Sequence, residues 1–167
     1  NSDTAQSYYD HIESKLAKPE FLPRALFERF NVEVLATTEG ALDDLEWHKQ
    51  ISDSGWSGRV ITTYRPDAVV DPDFEGFAEN LVTLGELTAE DTTTWEGYLA
   101  AHRTRRAYFK AQGATASDHG HPSAATSNLA PADARTLFET VRTGHATPQE
   151  AEVFRAQMLT EMARMSL

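Results

Sequence analysis

Cysteine is absent from all 167 residues of this sequence, which excludes disulfide bonds and metal sites built on thiolates. The absence does not indicate a compartment, because cytosolic and secreted proteins can both lack cysteine. Basic residues are also scarce: 15 lysines and arginines stand against 26 acidic residues, for a formal net charge of −11. We therefore expect neither a nucleic-acid partner nor binding to an anionic membrane surface.

Several informative sequence patterns are missing as well. No apolar run approaches the length of a membrane span, and no signal peptide is visible. The sequence has no glycine-rich phosphate loop, no GxSxG motif and no HExxH helix, so the enzyme classes defined by those motifs lose support. The first residue is Asn1, and a helical pattern continues to Leu167 without a cap, so we expect a piece of a longer protein.

What is present is ordinary globular composition, with 40% hydrophobic and 25% charged residues. Residues 1–31 carry helical patterns, and residues 32–167 then alternate three strand-like segments with amphipathic helices. Such alternation predicts a parallel sheet with right-handed crossovers. The first of the three segments, residues 32–38, is predicted to be a mostly buried strand. We expect a helix-rich α/β chain in which N-terminal helices precede three βα units. Because about eight strands are needed to close a barrel, three would form a small open sheet or an arc of a barrel.

Two sequences indicate helix starts. Thr147–Glu150 combines a capping threonine, a proline in the first turn and a glutamate that can bond back to the cap. Thr88–Asp91 resembles the same capping box with aspartate in place of glutamate.

Polar residues end each of the predicted strands, at Thr37–Thr38, Arg65–Asp67 and Asp118–His121. The carboxyl ends of parallel strands lie at one edge of a sheet, so these side chains are expected to converge on one pocket. The last group is the densest, with three ionisable side chains in four positions. Its carboxylate and imidazole groups can exchange protons near neutral pH and can hold a divalent metal.

The residues alone leave the roles of these groups open. Arg65 can grip a carboxylate or phosphate with its two-pronged guanidinium, or it can pair with Asp67 or Asp71 to fix a loop. His119 and His121 alternate on an extended segment and could reach one ion, but two ligands are too few for a tight site. In the competing interpretation Asp118 accepts backbone hydrogen bonds and the histidines are solvated.

The sequence resembles the uronate (glucuronate) isomerases of the amidohydrolase superfamily over nearly its whole length. Five segments carry the resemblance in the family's order: residues 26–38, 42–48, 64–67, 117–120 and 154–159. The resemblance implies a partial (β/α)8 barrel from the middle of a cytoplasmic enzyme. It also implies aldose–ketose isomerisation of D-glucuronate to D-fructuronate and of D-galacturonate to D-tagaturonate. A divalent ion, commonly zinc, is expected at the barrel mouth of the whole enzyme.

Motif by motif, the resemblance implies that Arg65 grips the substrate carboxylate, that Asp118 is catalytic, and that Thr38 and His119 contact substrate. The family's HxH metal ligands belong to an earlier strand, so we expect no metal ligand, no bound metal and no activity in this chain alone. Apolar faces left uncovered would favour self-association. Two alternatives are another metal-dependent amidohydrolase and a non-catalytic α/β module that only binds partners.

Overall fold

The computed structural model describes residues 2–167. They form eight α-helices and a two-stranded sheet. Within these residues, no helix has both the length and the apolar composition needed to cross a bilayer. A 3-10 turn at Pro19–Phe21 joins the first two helices. The strands are β1 (Leu35–Gly40) and β2 (Val60–Arg65), and the helices are α1 (Ser2–Leu16), α2 (Pro23–Arg29), α3 (Glu46–Asp53), α4 (Asp67–Val70), α5 (Phe77–Thr88), α6 (Trp95–Ala111), α7 (Pro131–Arg142) and α8 (Pro148–Arg164).

Strands β1 and β2 pair in parallel, with Leu35 opposite Val60 and Gly40 opposite Arg65. Helix α3 makes the crossover between them, as the alternating pattern predicted. Strand β2 is mostly buried, but β1 is mostly exposed and begins three residues later than expected, at Leu35 rather than residue 32. The expectation of a buried first strand is therefore wrong, because β1 is an edge strand with a neighbour on one side only.

The third expected strand is reduced to one parallel bridge between Tyr64 and Ser117. The Tyr64 amide donates to Ala116 O at 3.2 Å, and the Asp118 amide donates to Tyr64 O at 3.0 Å. After this bridge, the backbone amides of His119 and Gly120 donate to side-chain carboxylates and not to a neighbouring strand. Asp118 Oδ1 accepts from the amide of His119 at 2.9 Å, and local side-chain bonds of this kind compete with a sheet ladder. The described residues thus form two strands and a bridge, which corrects the prediction of three strands.

The core lies between β2 and helices α4–α8, a set of helices that we call the helical layer. Tyr98 stacks on Phe138 with 4.7 Å between ring centroids, and its hydroxyl donates to Val69 O at 2.7 Å. Tyr64 of β2 meets Phe109 of α6 edge-on at 5.0 Å. These aromatic contacts fix the buried strand to the helices and so hold its C-terminal end, where Arg65 lies, in place.

One of the two predicted helix starts is confirmed. Thr147 and Glu150 form a complete capping box at the start of α8. The box predicted at Thr88–Asp91 is wrong, because α5 ends at Thr88, whose hydroxyl donates to Leu84 O at 2.7 Å. Helix α6 is capped instead by Thr94, whose side chain accepts from the Gly97 amide at 3.1 Å.

Candidate functional site

The candidate site lies at the C-terminal end of β2. The strand ends at Arg65, Pro66 follows, and Asp67 begins the short helix α4. The bridge at Tyr64 brings the next loop alongside, so that Arg65 Nη1 lies 3.5 Å from Asp118 Oδ2. Arg65 and Asp118, which the sequence predicted to meet at one edge of the sheet, therefore do meet there.

Arg65 makes its shortest contact with its near neighbour in sequence. Its Nε donates to Asp67 Oδ2 at 2.5 Å, and this hydrogen bond to the carboxylate raises the pKa of the Arg65 guanidinium. The loop-fixing interpretation of Arg65 is thus realised through Asp67. A guanidinium carries five N–H donors, and the side chain is 43% exposed, so donors remain accessible to an anion from solvent.

Asp67, His119 and His121 form a group of potential metal donors, with one ligand atom of each lying within 4.8 Å of the others. His119 Nδ1 and His121 Nε2 are buried and have no hydrogen-bond partner among the described residues. Burial lowers the pKa of both imidazoles, which favours their neutral, metal-binding form at pH 7. From the sequence, Asp67 was expected at the same edge, but only the two histidines were counted as metal donors.

The glycine between the two histidines lies close against the side chains of β2 and α4. A Cβ at Gly120 would lie 2.6 Å from Asp67 Oδ2 and would also meet Arg65 Nη2, so these side chains would have to move to admit one. The Gly120 amide donates to Asp67 Oδ1 at 2.9 Å. The HGH spacing was the available signal for Asp67, because a glycine at this point allows another chain segment to approach the backbone.

Thr38 is not brought into this cluster. Its side chain is exposed, it pairs in register with Thr63, and no described contact joins it to Arg65 or Asp118. Its neighbour Thr37 instead bonds His48 Nε2 at 2.8 Å, beneath α3. The expected substrate contact of Thr38 stays a prediction.

A buried arginine that the sequence analysis did not single out ties the site to the last helix. Arg155 of α8 has an 8% exposed side chain and bonds Asp71 Oδ1 at 2.7 Å and Asp73 Oδ2 at 2.8 Å. It also lies 3.1 Å from Glu152 Oε2. Because Asp71 directly follows α4, this network fixes the helix that carries Asp67.

A comparison with protein families places the whole chain in one of them. The family model described as glucuronate isomerase matches residues 1–167, the whole of the sequence. The chain belongs to the glucuronate isomerase family.

Relatives in the family are named uronate isomerase. One from Mesorhizobium japonicum is 64% identical over 166 residues, covering 99% of this chain and 35% of the relative. Another, from Xanthomonas axonopodis pv. citri, is 64% identical over 167 residues, covering 100% of this chain and 35% of the relative. The chain thus spans about 35% of the length of these family members.

Solved structures in the family share the fold. A glucuronate isomerase from Caulobacter crescentus superposes with a TM-score of 0.91 at 51% identity, covering 99% of this chain and 35% of that one. A uronate isomerase from Thermotoga maritima gives a TM-score of 0.85 at 30% identity, covering 98% of this chain and 36% of that one. The two-stranded arrangement therefore corresponds to a section of a larger fold.

Proposed function

We propose that this chain supplies the carboxylate-binding part of a uronate isomerase active site. The observation that carries the proposal is the approach of Arg65 to Asp118, 3.5 Å apart, at the C-terminal end of a parallel strand. In α/β barrels this end of the strands carries the active site. In the proposed enzyme residues 1–31 precede the barrel and residues 32–167 form consecutive units of it, at a cytoplasmic location.

Arg65 is assigned the role of binding the uronate carboxylate. A bidentate pair with a guanidinium fixes both the position and the orientation of a carboxylate. The Asp67 contact holds Nε, and Nη1 lies beside Asp118, so the guanidinium is oriented before the substrate arrives. His119 and Thr38 are assigned further contacts with the sugar hydroxyls.

Asp118 is assigned the catalytic role. Conversion of an aldose uronate to a ketose uronate moves a proton from C2 to C1 and needs a group that accepts and returns it. The Asp118 side chain is 46% exposed beside Arg65, where a bound substrate would contact it. A divalent ion such as zinc, when bound in the whole enzyme, would polarise the substrate oxygens during this transfer.

The test exchanges matching segments between two proteins. Residues 1–167 replace the corresponding third of the Caulobacter crescentus glucuronate isomerase, which shares 51% identity with this chain. The chimera is expected to isomerise D-glucuronate. Arg65→Ala is expected to lower kcat/KM about 10- to 100-fold, mostly through KM, because one charged hydrogen-bond pair is lost.

The control is Arg59→Ala, which removes an exposed arginine just before the opposite end of β2. Its kcat/KM should match that of the unmodified chimera. Equal losses for the two arginines, or an inactive chimera that folds normally, would count against the assignment.

Asp118→Asn separates a catalytic role from a binding role. If Asp118 moves the proton, kcat falls about 100-fold or more while KM changes little. A rise in KM with unchanged kcat would place Asp118 at the carboxylate-binding end instead.

The chain alone is expected to be inactive and to self-associate. Apolar side chains on α1, including Tyr8 at 67% and Leu16 at 57% exposure, support the second expectation. Light scattering together with a D-glucuronate assay on the purified chain tests both.

A further inference from the structure

We propose that Asp67, His119 and His121 form a binding site for a divalent transition-metal ion, with zinc the best fit. The proposal rests on the chain's own donors and does not use the isomerase assignment as evidence. It gives His119 a metal contact in addition to the sugar contact assigned above. It departs from the expectation that this chain contributes no metal ligand.

The donors match zinc in kind and in number. Two imidazole nitrogens and one carboxylate oxygen are a common three-ligand set, with the fourth position left to water or another ligand. Tetrahedral coordination with bonds near 2.1 Å places ligand atoms about 3.4 Å apart. The three donors already lie within 4.8 Å of one another, so small side-chain rotations would complete the coordination.

The histidine nitrogens need a partner that the protein does not provide. His119 Nδ1 and His121 Nε2 are buried without a hydrogen bond among the described residues. The rings are adjacent, with centroids 5.3 Å apart. Buried polar atoms are rarely left unpaired, because each such atom costs free energy of folding. A metal ion would use two such rings together, whereas ordinary solvation would not require them to be adjacent.

The carboxylate is held in place by other residues. Asp67 Oδ2 accepts from Arg65 Nε at 2.5 Å, and Oδ1 accepts from the Gly120 amide at 2.9 Å. A carboxylate has about four acceptor positions, so capacity for a cation remains. Hydrogen bonds of this kind orient the ligands of natural metal sites.

The charges around the histidines do not oppose a cation. The charged side chains that act on the two rings are Asp67, Asp71, Asp118 and Glu152 on the acidic side, and Arg106 and Arg155 on the basic side. Arg65 adds one further positive charge beside Asp67. Carboxylates therefore outnumber cationic groups, and the field favours an added positive ion.

The test titrates zinc into the 167-residue chain by calorimetry in a buffer free of chelators. One ion is expected to bind per chain. His121→Ala is expected to weaken binding about 100-fold or more, since loss of only an outer contact already costs 10- to 100-fold. The matched control His145→Ala removes an exposed histidine outside the group and should leave the affinity unchanged. Equal affinity in all three proteins, or no binding to the unmodified chain, would overturn the proposal.

A second measurement needs no variant. On addition of zinc, the imidazole NMR signals of His119 and His121 should shift together with saturation at one equivalent, while those of His11, exposed on α1, stay fixed. Shifts confined to other histidines would refute the site even if His121→Ala failed to fold. Added zinc should also raise the Tm of the unmodified chain and not that of His121→Ala.

Discussion

The N-terminal region, residues 2–34, and the helical layer contain similar helical patterns but have opposite burial. In α1 the apolar residues Ile12 and Leu16 are 56% and 57% exposed. In α8 the apolar residues Phe154 and Met158 are 1% and 0% exposed. The difference teaches that apolar spacing predicts a helix and its apolar face, but not whether this chain provides the surface that covers that face.

The largest expected contrast comes from truncating one apolar side chain in each region. Phe154 packs against Tyr98 and Phe138, with ring centroids 6.2 Å away in both cases. Phe154→Ala should lower the free energy of unfolding by about 3–5 kcal/mol, through lost burial and a cavity. Ile12→Ala should change it by less than about 0.5 kcal/mol. Urea denaturation measures both, and similar losses would mean that α1 is packed in solution.

A smaller contrast is expected between the histidines of the two regions. His102 is 0% exposed and bonds the Tyr64 hydroxyl at 2.9 Å, and burial lowers its pKa to about 3. His11 lies exposed on α1. Between pH 6.5 and about 3 the unfolded chain therefore takes up a proton on His102 that the folded chain does not.

Stability should consequently fall as the pH falls through this window, by about 1.4 kcal/mol per pH unit from His102 alone. His102→Gln should remove that part of the slope, while His11→Gln should leave the slope as it was. Unfolding free energies measured at pH 6.5, 5.5 and 4.5 give the comparison. If the unfolding free energy of His102→Gln depended on pH as steeply as that of the unmodified chain, the buried imidazole would not be the cause of the pH dependence.

The smallest contrast concerns how helices begin. Thr147 caps α8 through a reciprocal bond with Glu150, whereas Leu22, in the N-cap position before α2, provides no side-chain cap. Thr147→Ala should cost about 1 kcal/mol of stability. Leu22→Ala, in the N-terminal region, should cost less than half of that. Tm shifts of equal size would show that the cap contributes nothing beyond ordinary surface packing.

Local sequence chemistry was enough to predict most helices and the parallel pairing of β1 with β2. The capping box at Thr147 was recognisable because every atom that it uses lies within one turn. The third strand was mispredicted because its backbone donors go to carboxylates, and Asp67, which takes one of them, is distant in sequence. The burial of β1 was mispredicted because exposure of an edge depends on neighbouring strands.

The sequence predicted the position of those site residues that lie at the ends of strands. Arg65 and Asp118 could be placed together because consecutive parallel strands end at the same edge. Arg155 could not be identified as part of the site, and Asp67, although placed at this edge, could not be recognised as a partner of the histidines. Both sets of contacts depend on how α4 and α8 pack. Thr38, at the same edge, shows that residues sharing an edge need not touch.

Asp67 lies between the two proposed sites, the carboxylate-binding Arg65 and the metal-binding histidines. The same carboxylate contacts Arg65 and lies within ligand distance of the histidine pair. An anion bound by Arg65 would compete with Asp67 for the guanidinium, which would leave more of the Asp67 charge to a cation at the histidines. Thermodynamic reciprocity then requires that a cation there make Arg65 more receptive to the anion by the same factor. If both proposals hold, this one side chain links the affinities of two oppositely charged ligands without any movement of the fold.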